Sequence, residues 1–220
     1  MTRIVCLANS WKHGERCIAG IDTFKKQWIR PISDLEKGKI SKAMRQINGI
    51  EPALLEVLDI PLAVTPSEED WERENRVLLA GKWKRLGQVS VDFLKPFCEN
   101  EGYILHNDQR YVTMEYLQSL PLEERQTLQL VEAVDFRVRS TGKRFEGVEK
   151  WSGTVITVGG QEMTGMITDP VLNRRLSLGD SPPSRCLVTF SLSWPWVPGG
   201  WKEDGNPCWK LIAGVIPCSA

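Results

Sequence analysis

The sequence predicts an all-β protein made of two successive small barrels. Its apolar runs are short, are bounded by turn residues and often alternate with polar residues, as is typical of strands. They form two blocks of about five strands, residues 1–100 and 125–220, separated by a weakly patterned, partly helical connection, residues 101–124. Helical patterns are few and short. A chain of 220 residues is long enough to bury a sizeable core.

The first block opens with three strands joined by short loops. The loops SWKHGE and TFKKQ have the lengths of hairpin connections, and the strands are RIVCLAN, RCIAGID and WIRPIS. After a polar, partly helical stretch, a longer strand lies within ALLEVLDIPLAV, where Pro61 predicts a sheet edge. One or two strands in residues 74–90 and a short helix capped by Ser90 complete the block.

The connection contains a short helix after Thr113, and the second block then begins with the long strand LQLVEAVDFRVRSTGKRF. Alternation along this strand predicts that one face is apolar and turned inward, formed by Val134, Phe136 and Val138. Arg137 and Arg139 would then point outward together.

A hairpin and two closing strands follow. Gly159-Gly160 forms the hairpin turn, because glycine accepts the positive φ of primed turns. The closing strands, RCLVTFSLSWPW and CWKLIAGVIP, flank a loop rich in glycine and proline. Neither a low-complexity tract nor a solenoid repeat is visible in the sequence.

Charge and composition restrict the function classes. The 28 basic and 28 acidic side chains cancel, which argues against bulk electrostatic attraction to nucleic acid or membrane but leaves room for a local basic groove. No apolar stretch approaches the length of a membrane span and no secretory signal is recognisable, so we expect a soluble cytoplasmic protein. Two histidines and six scattered cysteines offer no zinc-ligand spacing.

Four segments carry a resemblance to a known family. They are LANSWKHGERCIAG, WIRPIS, MITDP (Met166 to Pro170) and CWKLIAGVI. Taken in order, they resemble the dual OB-containing domain family of prokaryotic proteins along almost the whole chain. The resemblance implies two tandem OB-type barrels and a role in nucleic-acid or nucleotide binding, in defence-type systems. The extra tryptophans and glycines of FSLSWPWVPGGWKEDGNPCW depart from the family pattern.

OB barrels bind nucleic acid across one sheet face and through the loop between their first strands. In this chain Lys12 and Arg16 of that loop would contact phosphates, and Arg30 on a neighbouring strand could do the same. A base would stack on Trp28. The remaining candidates of the first block, Asn9 and Ser10, would donate to a base edge or a phosphate. In the alternative interpretation these residues are structural. Asn9 and Ser10 then bond to the backbone of the turn, the arginines form ion pairs within the barrel, and Trp28 is buried in its core.

The second block supplies further candidates. Arg137 and Arg139 would add positive charge. Thr168 and Asp169 either end a strand in a turn or bind a ligand, and Asp169 could also hold Lys210, itself a candidate.

Tryptophans cluster near the C-terminus. Trp194, Trp196, Trp201 and Trp209 could form a stacking platform, a patch for a partner protein, or core filling. The Gly199-Gly200 loop between them favours an exposed recognition loop.

Catalysis has a single candidate, a dyad of Cys17 and His13 across the opening turn, which lacks an evident third group. The carboxylates Glu68, Glu69 and Asp70 beside Ser67 indicate a helix start rather than a metal site. We therefore expect a protein without catalysis, cofactor or metal.

The function predicted from the sequence is binding of single-stranded or structured nucleic acid. Two alternatives remain open. One is a sensor that binds a nucleotide or cyclic oligonucleotide between the barrels. The other is an adaptor that docks a partner protein through Trp194, Trp196 and Trp201.

Overall fold

A computed structural model describes residues 1–12, 14–65, 71–145 and 147–218. With 46% strand and 16% helix it confirms the predicted all-β class. The chain divides into two compact units, Met1–Phe97 and Cys98–Ala220. The segment 101–124, predicted as a connection, lies within the second unit.

The first unit contains a six-stranded sheet in the order β5-β3-β2-β1-β4-β6. All its pairings are antiparallel except that of β3 with β5. Two short helices, α1 (Lys42–Arg45) and α2 (Val91–Leu94), accompany it. The strands are β1 (Thr2–Lys12), β2 (Glu15–Asp22), β3 (Gln27–Ile32), β4 (Glu56–Ile60), β5 (Asn75–Val77) and β6 (Lys84–Gln88).

Backbone contacts beyond the ends of β4 and β5 close the first five strands into a ring. Leu62 and Leu78 form an antiparallel bridge, and the Leu79 N–H donates to the Pro61 carbonyl at 2.9 Å. Because β4 pairs with both β1 and β6, the sheet edge predicted from Pro61 is wrong. Proline is tolerated here because it follows the strand, where its missing N–H breaks no ladder bond.

The interior of this ring is apolar. Alternate residues of neighbouring strands meet there, as the two-residue period requires. Its buried members include Ile4, Cys6, Ile18, Ile29, Leu58 and Ile60.

The second unit contains a closed five-stranded barrel in the order β8-β9-β10-β12-β11, in which β11 returns to β8. The closing pair, β10 with β12, is parallel. A short strand, β7, pairs with the start of β12. The elements are β7 (Tyr111–Thr113), α3 (Met114–Ser119), β8 (Leu128–Phe145), β9 (Val148–Thr157), β10 (Glu162–Ile167), α4 (Pro170–Ser177), β11 (Cys186–Leu192) and β12 (Pro207–Pro217).

Local signals in the sequence have mixed outcomes. Ser90 caps α2 by accepting the Phe93 N–H, and Gly160 takes a φ of 82° in the β9–β10 turn, so both predictions are confirmed. Val134, predicted to face inward, is exposed, because a β-bulge interrupts the register between Ala133 and Asp135. The helix α4 after Asp169 replaces the predicted turn.

Candidate nucleic-acid interface on the second barrel

Three of the candidates in the first block, Ser10 on β1 and Trp28 and Arg30 on β3, lie inside the first unit. Ser10 and Trp28 are buried. Arg30 is 1% exposed and is ion-paired with Glu72, and it also donates to Asn75 Oδ1 at 3.3 Å. A buried guanidinium satisfied in this way cannot reach a phosphate, so the structure places these three residues in the architecture of the barrel.

Two further candidates, Asn9 on β1 and Arg16 on β2, lie on the opening hairpin. Asn9 is half-buried and donates from Nδ2 to the Pro52 carbonyl at 2.7 Å. The Arg16 guanidinium lies 4.0 Å from the centre of the Trp11 ring, a cation–π contact between cross-strand partners.

Several residues of the sequence-based hypotheses fall outside the described part of the chain. These are His13 of the catalytic dyad, the side chain of Lys12, and Ser67 with the carboxylates Glu68, Glu69 and Asp70. Cys17 itself is half-buried.

Asp169 and Thr168 hold α4 against the barrel. Asp169 is buried, and its Oδ1 accepts the N–H groups of Val171 and Leu172 at 2.9 and 3.1 Å, while Oδ2 accepts the Val215 N–H at 3.3 Å. The Thr168 hydroxyl donates to the Ile212 carbonyl. The bonds to Val171 and Leu172 cap the N-terminus of α4, and the bonds to Val215 and Ile212 attach the segment before the helix to β12.

Lys210 is 2% exposed and donates from Nζ to the carbonyl and side-chain oxygen of Asn107, at 2.6 and 2.9 Å. Burial lowers the pKa of its ammonium to about 7, against a smaller opposing effect of Asp108. The lysine thus anchors the segment that leads into β7.

Arg137 and Arg139 lie on the exposed outer surface of β8. Arg137 is the register partner of Thr154, which pairs in turn with Thr164, and the two threonine hydroxyls are 2.9 Å apart. Arg137 is 60% exposed and forms surface ion pairs with Asp135 and Glu162. Such exposed pairs contribute little stability, so a phosphate can compete for the guanidinium.

Arg110 extends this line of side chains. The Arg110 side chain donates from Nε to the Thr164 carbonyl at 3.3 Å. The Arg110 backbone carbonyl accepts the backbone N–H of Lys210. We call Arg137, Thr154, Thr164 and Arg110 the cross-strand row. It runs perpendicular to β8, β9 and β10, whose spacing is about 4.8 Å per strand.

An aromatic cluster begins where the row ends. It consists of Tyr111, Trp196, Trp201 and Trp209. Tyr111 follows Arg110 and pairs with Trp209 across β7 and β12, with ring centres 5.5 Å apart. Trp201 packs edge-to-face on both rings at 5.1 and 5.5 Å, and Trp196 lies 6.4 Å from Trp209.

The cluster is only partly sheltered from solvent. Trp196 is 62% exposed, and Trp201 and Trp209 are half-buried. Among the described residues, Trp201 Nε1 has no hydrogen-bond partner although it is buried. The tryptophans are therefore neither plain core filling nor fully solvent-exposed. Their geometry suits a platform for a flat, polar ring.

The loop that carries Trp196 and Trp201, residues 193–206, is held by specific bonds. Trp209 Nε1 donates to the Trp196 carbonyl at 2.9 Å, and the Trp196 N–H donates to the Pro207 carbonyl at 3.0 Å. Glu203 accepts the Tyr111 hydroxyl. Glu115 accepts two N–H bonds from Asn206, which lower the pKa of its carboxyl. These contacts hold the aromatic rings and the loop in one arrangement.

The β8–β9 hairpin continues past the point where β9 stops pairing with β10 at Ser152. Its far end carries the exposed cations Lys143 and Arg144, and Ser140 donates to Glu149 across it. The tip of the β8–β9 hairpin therefore adds positive charge beyond Arg139.

No group of three or more His, Cys, Asp or Glu residues in the described part of the chain is arranged to hold a metal ion. Within the same residues, no helix has the length and hydrophobicity that crossing a membrane requires.

The two rings share one topology. In each, the first strand pairs with the second and fourth, and the third pairs in parallel with the fifth. A comparison with protein-family models matches residues 2–215 to the family described as Dual OB-containing domain. The chain belongs to this family. For a dual OB protein, a binding role is the general expectation, since OB barrels engage oligonucleotides and oligosaccharides through their strand 2–3 face and neighbouring loops.

Neither the search of curated proteins nor that of solved structures returned a match. In the second barrel Arg137, Thr154 and Thr164 lie on the first three strands, and the loop between the fourth and fifth strands carries Trp196 and Trp201.

Proposed function

We propose that the second barrel of this dual OB protein binds single-stranded nucleic acid, with phosphates on the cross-strand row and bases on the aromatic cluster. The observation that carries the proposal is the continuity of the two surfaces at Arg110 and Tyr111. A cationic line leads directly to a pre-arranged, partly exposed aromatic platform.

Stacking favours a single strand over a duplex. Bases of a single strand expose their faces, and stacking on an aromatic side chain contributes roughly 1–3 kcal/mol per base. Trp196, 62% exposed, is the ring that a base can reach without rearrangement of the loop. In a duplex the same faces are stacked on neighbouring base pairs.

The exposed cations of the second barrel are few, so we expect a small number of phosphate contacts. Arg137 and Arg139 are exposed on β8, and Arg110 is exposed at the other end of the row. Lys143 and Arg144 on the hairpin can extend the path for a longer strand. The nearby Asp135 and Glu162 moderate the charge, which suits reversible binding.

We further propose that this role is purely one of binding. Cys17 is half-buried in the first unit, far in sequence from the row and the cluster. A labelled strand incubated with the protein is expected to remain intact on a denaturing gel, and Cys17→Ala is expected to leave binding unchanged.

The test is fluorescence anisotropy with labelled single-stranded RNA, single-stranded DNA and duplex DNA. Trp196→Ala is expected to weaken single-strand binding roughly tenfold or more through lost stacking. The variant is expected to retain the loop, because the hydrogen bonds of Trp196 with Trp209 and Pro207 use its backbone groups. Arg137→Gln with Arg139→Gln should also weaken binding, whereas the control Arg174→Gln, on the exposed side of α4, should not.

Two outcomes would contradict the proposal. Absence of binding to every polymer at low salt would remove nucleic acid as the ligand and favour a protein partner at Trp196 and Val197, both exposed. Binding that tolerates the Trp196 and Arg137 substitutions would place the site elsewhere on the chain.

A further inference from the structure

We infer that Glu203 makes the aromatic cluster selective for guanine, so that the preferred ligand is a single strand containing an accessible guanine. The inference rests on the proposed function and names the base that the proposed site prefers.

Glu203 is an exposed carboxylate with a fixed position. It accepts the hydroxyl of Tyr111, an interaction that raises the pKa of that hydroxyl. The Tyr111 ring in turn packs edge-to-face against Trp201, 5.1 Å away, and lies 5.5 Å from Trp209. An exposed glutamate normally samples many rotamers, whereas this one is held at the rim of an aromatic platform.

The carboxylate retains acceptor capacity after binding Tyr111. Two carboxylate oxygens offer about four lone-pair sites, and the tyrosine occupies one of them on Oε2. Two adjacent N–H donors on a ligand can therefore bind the carboxylate side by side, as guanidinium groups do.

Guanine alone among the four bases presents two adjacent donors on its Watson–Crick edge, N1–H and the 2-amino group. Adenine and cytosine place a ring-nitrogen acceptor beside their amino group, and uracil places carbonyl oxygens on both sides of N3–H. Each of those acceptors would repel the second carboxylate oxygen. The carboxylate thus selects by attraction to guanine and by repulsion of the other three bases.

The local charge also points to a base rather than a phosphate at this position. Glu203 and Asp204 are both exposed in the loop, next to the single cation Lys202. A phosphate would meet net negative charge here, whereas it meets Arg110 and Arg137 along the cross-strand row. Bases and phosphates are therefore expected to separate between the two surfaces.

The test compares short RNA strands that differ at one position. Strands of five uridines with the central base replaced by guanine, hypoxanthine or adenine are titrated by anisotropy. Guanine is expected to bind about tenfold more tightly than adenine, the size of effect typical of a bidentate base contact. Hypoxanthine, which lacks the 2-amino group, should lie between them.

Glu203→Gln is expected to abolish the preference for guanine by weakening the guanine strand and by binding the adenine strand at least as tightly as the parent protein does, because the amide no longer repels the ring nitrogen of adenine. Gln keeps the size of Glu and can still accept the Tyr111 hydroxyl. Asp204→Asn, the neighbouring exposed carboxylate, is the matched control and should keep the preference. Competition by free GMP separates recognition of the base alone from recognition of a strand.

Equal binding of all three strands, or a guanine preference that survives Glu203→Gln, would overturn the inference and leave the proposed function standing. Failure of every strand to bind would instead overturn the proposed function. Displacement by GMP at concentrations near those of the strand itself would overturn the statement that the ligand is a strand, and would identify a guanine nucleotide as the ligand.

Discussion

At the scale of single residues, charged side chains in this protein divide into buried ones that serve the fold and exposed ones that are available to a ligand. Arg30 and Lys210 are both almost fully buried and hydrogen-bonded, whereas Arg137 is mostly exposed. Residue type does not separate the two groups. Their environment does, because a buried charge needs partners of its own.

Arg30→Ala is expected to lower the free energy of unfolding by about 3–5 kcal/mol, because it leaves Glu72 buried without its ion-pair partner. Urea denaturation followed by circular dichroism measures the change. Arg137→Ala, which removes only exposed ion pairs, should stay within about 1 kcal/mol of the parent protein. A loss below about 1 kcal/mol for Arg30→Ala would mean that the pair is not buried in solution.

Lys210 predicts a pH dependence of stability. Its pKa is lowered from 10.5 to about 7 in the folded protein, so between these values the unfolded chain binds more protons than the folded one. The free energy of unfolding should therefore rise with pH from about 7 to about 10.5 through this residue, and the contribution should be constant below about pH 7.

Lys210→Met should lack that increment, and urea midpoints at pH 7, 8.5 and 10 for both proteins measure it. If the urea midpoints of the parent protein and the variant changed with pH in parallel, the lowered pKa of Lys210 would be contradicted.

At the scale of elements, the second barrel depends on how α4 begins. Asp169 accepts two N–H groups of the first helical turn and one from β12, and Pro170 at the first helical position has no N–H to satisfy. The same carboxylate therefore starts the helix and attaches it to the sheet. The motif MITDP is explained by this structural role.

Asp169→Ala is expected to destabilise the protein by about 1–2 kcal/mol for the lost cap, and by more if the Val215 N–H is left without an acceptor. Asp180→Ala is the control, since Asp180 forms an exposed pair with Arg175 at 2.8 Å and should cost less than about 1 kcal/mol. Thermal unfolding of the two variants gives the comparison. Equal effects would show that the cap contributes nothing beyond a surface charge.

At the scale of the whole molecule, charge is balanced and the proposed site is local. The 28 basic and 28 acidic side chains leave no long-range field to attract a polyanion. Affinity must then come from a few direct phosphate contacts and from stacking.

Three arginines, Arg110, Arg137 and Arg139, predict a slope of about −2 for log K against log salt on a single strand. Affinity should fall about 20-fold between 50 and 200 mM salt, far less than for a strongly basic nucleic-acid-binding protein. Anisotropy titrations at four salt concentrations measure the slope. A slope steeper than about −5 would require phosphate contacts well beyond these three arginines.

Much of the fold could be predicted because its signals are local. The alternation of apolar residues marks the strands, Gly159-Gly160 marks a turn and Ser90 marks a helix start, and each depends on a few neighbouring residues. Val134 is an exception to this pattern, because a β-bulge between Ala133 and Asp135 turns its side chain to the outer face of β8.

The site could be predicted only in part. The sequence pointed to Arg137, Arg139 and the C-terminal tryptophans, but also to Trp28 and Arg30, which are buried. It did not point to Arg110 or Tyr111, because β7 and β12 are distant in sequence and no local pattern announces their pairing.

The sequence by itself determined the strands, their turns and the two-block organisation, because backbone preference and the two-residue period act between near neighbours. Tertiary structure alone decided which outward-facing charges are covered, and which distant side chains meet Trp209 across the β7–β12 pair. Burial and strand pairing depend on segments that the chain brings together only when each barrel closes.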